Sequence, residues 1–554
     1  MVDQAKALSE PEKVALAEFL GGSKWPNETA LSGIASSTAG VCTDPATSAF
    51  DVNKPPAVAG WGMTEGNTRH VSPSAAGLAA SAVPGLTLKW AFGFPGATRA
   101  RGQPSYAGGA VLVGSQTGEV YALDLQTGCI RWSFKAAAEV RNAPSVEPWR
   151  AGDQTAKPRV FFGDLEGSVY ALDAFTGKLL WKVPANEHPR TTITGSPRVF
   201  EGKVFVPLSS TEWASAADPS YECCTFQGGI AALDARSGTL IWRSYAIATP
   251  ATATGALNSA GARRFHPAGA PVWNSPTIDT KRRRLYVGTG EAYTSPAAPT
   301  SDAVVAFDLD SGKKLWHFQS IAKDAWNMAC FIGGGPNCPE ENGPDLDIGA
   351  PPILASLVDG REVLLVGQKS ADVFALSPED GRLLWRVKHG RGGFAGGVHW
   401  GMAFDGKTLF APNADTIFLG TEVGEAKPGL FALDPRNGNV KWFTPNPNIC
   451  PAERLPACDP GVSPPPTSID GVVFNGAFDG WLRAYDSRTG KIIWQYDTVR
   501  EFKTVNGVQA QGGSLESAGP LVVDGHVLVN SGYLFGGRMP GNVLLTFSVA
   551  PTTR

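Results

Sequence analysis

The sequence predicts an all-β protein, an eight-bladed β-propeller closed by strands from both termini, and three observations carry that reading. Gly (65) and Pro (43) punctuate a 554-residue chain in which only 18% of residues are charged, a composition of many turns and short strands. One eleven-residue phrase occurs seven times: ALDLQTGCIRW (122–132), ALDAFTGKLLW (171–181), ALDARSGTLIW (232–242), AFDLDSGKKLW (306–316), ALSPEDGRLLW (375–385), ALDPRNGNVKW (432–442) and AYDSRTGKIIW (484–494). Finally, a fragment before the first copy and a tail after the last are each too little for a unit, and together they make one.

Each copy reads as strand, tight turn, strand. Asp starts the turn, Gly takes a positive φ, and apolar residues resume the strand. A Trp at the same place in every unit packs between neighbouring sheets, since an indole buries a large area and hydrogen-bonds through its edge. Successive terminal Trp residues are 49, 61, 74, 69, 57 and 52 residues apart, enough for four short strands and a variable loop, which is one blade. Upstream, LTLKWAFGF (86–94) places Trp90 42 residues before Trp132; 60 residues follow Trp494 without an eighth copy. The upstream strand is expected to be the outer strand of a blade whose remaining strands come from 515–550. A seven-bladed ring with 86–94 as a stray strand is the alternative.

Ahead of the propeller domain (86–554), residues 1–25 carry a short helix over 8–22. Ser9 and Glu12 form its capping box, Leu16, Phe19 and Leu20 its apolar face, and Gly21-Gly22 its end. Residues 26–85 are expected to be an irregular linker packed on the ring. No apolar run is long enough to cross a membrane, and the N-terminus lacks the basic-then-apolar pattern of a secretory signal. A net charge of -3 provides no global basic field for nucleic acid, and the basic run Lys281 to Arg284 reads as an exposed hairpin turn. Eight cysteines, with close pairs at 330/338 and 450/458 and adjacent Cys223 and Cys224, suggest disulfides and an oxidising compartment.

Most connections between second and third strands are tight, as in SQTGE and DLEGS, but two adjacent blades depart from this. Glu212 and Glu291 each end a strand there and begin an insertion. Two such carboxylates would converge near the axis, where buried like charges demand a cation; the plain alternative is two unrelated surface glutamates. The loop HFQSIAKDAWNMACF reaches the same face with Asp324, Trp326 and Asn327. Asp324 is either a general base beside that cation or the cap of a turn. Trp273 lies near the axis, where a flat ring could support a planar ligand. Bonded to each other, Cys223 and Cys224 would form a rigid apolar disc; separate partners are the alternative.

The chain resembles the quinoprotein alcohol dehydrogenases, whose eight-bladed propellers hold pyrroloquinoline quinone (PQQ) and Ca²⁺. The blade phrase carries the likeness over residues 86 to about 550 and is shared with non-catalytic assembly propellers. PSYECCTFQGG, TGEAYTSP, DAWNMAC and GYLFGGRMPGNVLLTFSV are most similar to the polyvinyl alcohol dehydrogenase branch. The resemblance implies that Glu212, Glu291 and Asn327 are metal ligands and that Trp273 forms the floor beneath PQQ. It implies that a Cys223–Cys224 disulfide covers the other face, although this pair falls later in the chain than in methanol dehydrogenases. Arg141, Lys369 and Gln103 match cofactor-binding positions. One departure concerns the base: relatives have Trp-Asp where this chain has Trp326-Asn327, and an amide cannot accept the proton. Glu291 in turn stands where relatives have Asn. Asp324 is therefore the first candidate for base and Glu291 the second. Ala329 replaces the additional Asp of lanthanide-dependent relatives, which favours Ca²⁺.

The implied activity is oxidation of an alcohol group to a ketone or aldehyde, with electrons passed to a cytochrome c or a dye, in the periplasm. Helix 8–22 is similar to the last helix of a class I cytochrome c domain, yet no CxxCH haem site occurs. A haem-free chain serving a separate acceptor is expected. A non-catalytic assembly propeller would explain the repeats equally well, but not the paired glutamates, the vicinal cysteines or the long loops.

Overall fold

The computed structural model describes residues 39–331, 334–416 and 424–550, so the helix expected over 8–22 lies outside the described residues. Eight antiparallel sheets form the blades. Blades 1 to 7 span residues 105–135, 145–184, 191–245, 277–319, 353–388, 403–445 and 467–497. Blade 8 takes Leu521–Val523, His526–Ser531 and Val543–Val549 and is completed by Leu86–Gly93, paired antiparallel from Leu86↔Val549 to Gly93↔Val543. The ring is thus eight-bladed and closed by strands from both sides of the chain.

The repeated phrase performs one structural task. Its Ala faces its Trp across the third and fourth strands (Ala122↔Trp132, Ala232↔Trp242, Ala484↔Trp494), and the register slips immediately after that pair. Such a bulge turns the strand and re-aims its side chains. Asp124 accepts from the backbone N–H groups of Gln126 and Thr127, and Asp173, Asp234, Asp308 and Asp486 repeat the turn. Each indole up to Trp442 then docks on the glycine turn of the next blade, and Trp494 on the start of the strand Leu86–Gly93. Trp132 Nε1 donates to Ala174 O at 3.1 Å, Trp442 Nε1 to Ser487 O at 3.0 Å, and Trp494 Nε1 to Leu86 O at 3.0 Å. The turn glycines beneath these rings have φ between 70° and 76°. A Cβ on Gly177, Gly381 or Gly438 would stand 2.5–2.8 Å from the preceding blade's indole. Glycine is needed here twice over, for the left-handed turn and for the ring lying on it.

The stretch between residues 58 and 75 touches the inner part of every blade in order. Carbonyl oxygens of Val58, Ala59, Thr64, Glu65, Gly66, Thr68, Arg69 and Ala75 accept, in turn, from Tyr106, Val146, Arg198, Ile278, Leu354, Phe404, Ser468 and Asp524. Arg69 is fully buried at this girdle. Its guanidinium lies 4.5 Å over Trp61 and donates to Pro466 O, Trp61 O, Gln103 Oε1 and Thr467 Oγ1. Burial lowers its pKa to about 9. The Lys281–Arg284 turn is tied to neighbouring blades by ion pairs to Glu201, Glu362 and Glu379, and within its own blade to Asp310.

The docking contact can be separated from the turn's backbone strain. Gly438→Ala adds a clash with Trp385 to an unfavourable φ, whereas Gly507 has φ 71° and nothing within 4 Å of a Cβ. Thermal unfolding should show a loss of about 2–3 kcal/mol for Gly438→Ala against about 1 kcal/mol for Gly507→Ala. Equal losses would remove the indole contact from the account.

Candidate active site

The second-to-third-strand connections of blades 3, 4 and 5 carry Glu212, Glu291 and Lys369, and the long loop after blade 4 carries Asp324, Asp345 and Asp347. All six side chains are buried. Glu291, Asp345 and Asp347 bring carboxylate oxygens within 4.8 Å of one another, a separation that one cation can bridge. Lys369 Nζ donates to Asp345 Oδ1 at 3.0 Å and to Asp347 Oδ2 at 2.8 Å. Trp273 Nε1 donates to Asp347 Oδ2 at 3.1 Å, and the Glu291 N–H to Asp347 Oδ1 at 2.9 Å. Asp347 therefore joins the indole, the lysine and the glutamate strand end.

Asp324 sits behind this group. Its two oxygens accept the backbone N–H groups of Asp345 (3.1 Å) and Leu346 (2.9 Å), fixing the turn that delivers Asp345 and Asp347. A Cβ on Gly343 would strike the Asp324 carboxylate, and one on Gly349 would enter the Trp273 ring, so both side chains rest on bare backbone. Asp302 is buried nearby, and neither of its oxygens has a hydrogen-bond partner among the described residues.

Five carboxyl groups thus share one lysine, and their electrostatics reflect it. Burial, then Asp347 and Asp345, push the Glu291 carboxyl well above its ordinary range. Burial raises Asp345 against the pull of Lys369, and burial with the neighbouring Asp324 raises Asp302. Asp324 is lifted to about 6, chiefly by burial. For Asp347, burial works upward but Lys369 prevails and holds it below the usual carboxylate range. Lys369 is opposed by burial and held above its ordinary value by Asp345, Asp347 and Glu291. A cation among Glu291, Asp345 and Asp347 relieves the repulsion.

The remaining residues singled out by the sequence are distributed around this group. Glu212 accepts the N–H groups of Thr225 and Phe226 and the Tyr221 hydroxyl, and so pins the loop bearing Cys223 and Cys224. Those two cysteines are bonded to each other and buried with Phe226, Ala268 and Tyr293. Tyr293, whose hydroxyl has no partner, feels both Glu291 and Glu212. Asn327 donates to Tyr293 O and Asn337 O and accepts from the Ala329 N–H, which commits its amide to the loop. Glu212 does not join the close acidic group among the described residues. Arg141 lies 4.8 Å over the Trp400 ring with Nη2 unpartnered; burial, then Arg101, lowers it to about 10. Gln103 is held between Arg69 and Trp61 O. Arg141, Gln103, Trp273 and Trp400 line an axial cavity of about 30 Å³.

Sequence reasoning overlooked Asp345, Asp347 and Asp302. The first two form Asp-Leu-Asp in the irregular stretch before blade 5, where Asp345 takes a left-handed backbone (φ 54°) and both carboxylates reach Lys369 Nζ. That spacing was the available signal.

An eight-bladed ring with a buried acidic group beneath its loops is the frame of a candidate enzyme site, and comparison with known proteins identifies the family. Residues 60–331 match the family described as glucose/ethanol/alcohol dehydrogenase, beta-propeller domain, while 226–533 match that of the outer membrane protein assembly factor BamB. A polyvinylalcohol dehydrogenase from a Pseudomonas species is 39% identical over 99% of this chain and 87% of its own length. One from Sphingopyxis sp. (strain 113P3) is 37% identical over 88% of this chain and 76% of its own. The crystal structure of quinohemoprotein alcohol dehydrogenase from Comamonas testosteroni superposes with a TM-score of 0.66 at 21% identity, covering 95% of this chain and 85% of that one. The chain belongs to the PQQ-dependent quinoprotein alcohol dehydrogenases, in the polyvinyl alcohol dehydrogenase branch.

The donors fit the family's groups. The acidic triad suits an oxygen-seeking divalent cation, and the orphaned Arg141 Nη2 beside the Trp273 and Trp400 rings suits a planar anion. Millimolar Ca²⁺ is expected to raise the melting temperature of the wild type, equivalent to about 2.7 kcal/mol at a hundredfold excess over Kd. Asp347→Asn should lose most of that gain in differential scanning fluorimetry. An equal gain in the variant would place the cation elsewhere.

Proposed function

We propose that this chain is a PQQ- and Ca²⁺-dependent dehydrogenase that oxidises secondary alcohol groups and passes the electrons to a cytochrome c or an artificial dye. The observation that carries the reading is the buried group of Glu291, Asp345 and Asp347, bonded through Asp347 to both Lys369 and Trp273. When bound, PQQ supplies the hydride acceptor and Ca²⁺ the Lewis acid.

The chain's own residues then have distinct tasks. Glu291, Asp345 and Asp347 would hold the cation. Arg141, with one unpartnered nitrogen, would bind a carboxylate of the quinone, and Trp273 and the Cys223–Cys224 disc would offer it apolar faces. Lys369 uses two N–H groups on Asp345 and Asp347, and its third is available to an oxygen that gains negative charge. Asp324 is the proposed base, because each of its oxygens accepts one backbone N–H and retains a lone pair for the alcohol proton. Glu212 and Asn327 act through the loops they fix.

An assembly propeller accounts for the repeats shared with the BamB family, but gives no reason to bury five carboxyl groups around one lysine. The disulfides Cys42–Cys129, Cys223–Cys224, Cys330–Cys338 and Cys450–Cys458 favour an oxidising compartment, the periplasm.

The purified chain should turn over an alcohol only with PQQ, Ca²⁺ and an electron acceptor together. Asp324→Asn is expected to lower kcat by at least about a hundredfold while calorimetry still registers PQQ binding. A near-normal kcat in Asp324→Asn, with loss in Glu291→Gln, would transfer the role of base to Glu291.

A further inference from the structure

A second cavity opens on the same face as the acidic group, between blades 5 and 6. One wall is the end of blade 5 and the start of the loop that follows it, with Lys388, His389 and Arg391; the other is the second-to-third-strand connection of blade 6, with Glu425 and Lys427. Its volume of about 330 Å³ suits a small molecule. Both walls hang on one buried carboxylate. Asp415 accepts the backbone N–H groups of Arg391 (3.0 Å) and Lys427 (2.9 Å) through Oδ2, and that of Gly392 (3.0 Å) through Oδ1. The backbone of the cleft is therefore set before anything enters it, and binding there costs little ordering.

The lining is cationic. Three side chains, Lys388, Arg391 and Lys427, stand against the one carboxylate of Glu425, which lies 3.8 Å from Lys427 Nζ and is largely exposed. His389 adds no charge: burial pushes its imidazole down to about 4 against the opposing pull of Asp372, and the ring lies on Phe431 at 4.9 Å and 28°. Arg391 spends Nη2 on Asp415 O, while its Nε and His389 Nε2 are buried without a hydrogen-bond partner among the described residues. Unpaired nitrogens in an electropositive wall favour a ligand with several acceptor oxygens, and three cations against one carboxylate match a dianion.

The cleft also reaches Lys369. The residues that line it lead into Gly392 to Val398, and this stretch lies along the strand end that bears the lysine. His389 N–H donates to Ala371 O at 3.0 Å, Gly393 N–H to Lys369 O at 3.1 Å, and Val398 N–H to Gln368 O at 3.0 Å. A Cβ on Gly392 would stand 2.5 Å from the Ser370 backbone, so the two chain segments are in direct contact. Segments packed this closely shift together.

We infer that the cleft between blades 5 and 6 binds a small dianion, a dicarboxylate or a phosphoryl compound, and that its occupancy is relayed through residues 392–398 to Lys369. Lys388, Arg391 and Lys427 supply the charge, and the hydrogen bonds from His389, Gly393 and Val398 supply the relay. Neither part depends on which reaction the acidic group supports.

The test is calorimetry on the full chain without PQQ, at low ionic strength, with succinate and inorganic phosphate as dianions and acetate as the monoanion. At least one dianion should bind about tenfold or more tighter than acetate. Lys388 and Lys427 are exposed, and the double variant Lys388→Gln/Lys427→Gln should weaken binding about tenfold. Glu425→Gln should tighten it, a change of sign that damage to the fold would not produce. Binding of succinate alone identifies a dicarboxylate site and of phosphate alone a phosphoryl site, and either supports the inference. No heat with either dianion, or an affinity that all these variants leave unchanged, overturns it. Hydrogen–deuterium exchange reads the relay: the bound dianion should slow exchange in peptides covering 389–398 and 366–373 alike. Protection confined to 389–398 would remove Lys369 from the inference.

Discussion

The contact between a blade's terminal indole and the next blade's glycine turn is the interaction on which the rest of the molecule depends. A single blade cannot bury both faces of its sheet, and each indole makes burial on one blade conditional on its neighbour. Ala opposite the Trp leaves room for the ring, the slip in register turns it outward, and the glycine lets it lie on backbone. Because Trp90, on the N-terminal strand that completes blade 8, lies over Gly128 and donates to Leu125 O of blade 1, the same contact that joins blades also closes the ring. Trp242 and Trp316 have no partner for Nε1, and at these two positions the ring packs without its hydrogen bond.

A ring held together at its outer strands leaves its axis free to collect polar groups that would be intolerable in an ordinary core. At the girdle, Arg69 is stabilised by neutral acceptors and by Trp61. Under the loops of blades 3 to 5, five carboxyl groups gather around Lys369. The girdle is locally satisfied and structural. The acidic group is not: Asp302 has no donor among the described residues, and the repulsion among the rest is only partly relieved by one lysine. The repulsion is what the proposed cation would relieve.

Asn327 illustrates how one substitution can redistribute roles. Its amide is spent on Tyr293 O, Asn337 O and the Ala329 N–H, an arrangement that a carboxylate could not adopt because it would face two carbonyl oxygens. The acidic group itself consists of Glu291, Asp345 and Asp347, the last two placed by the turn that Asp324 caps. The two readings of Asp324, cap and base, are therefore compatible, since capping occupies one lone pair on each oxygen.

The sequence by itself determined the blade, the number of blades and the closure, because these follow from a local phrase repeated at readable intervals and from the physics of a Trp over a Gly turn. It also marked Glu291, Asp324 and the adjacent cysteines through unusual loops in neighbouring units, Trp273 by its place near the axis, and Lys369 through the family resemblance. Only the tertiary structure decided which carboxylates meet. Glu212 and Glu291 occupy equivalent strand ends, yet backbone N–H groups claim Glu212, while Asp345 and Asp347 arrive from a long loop whose path no periodicity encodes. The girdle from 58 to 75 was equally illegible, since its contacts run through backbone carbonyls that every residue type carries. Pairings within a repeat are set by neighbours in sequence; a site assembled across blades is set by where irregular loops come to rest.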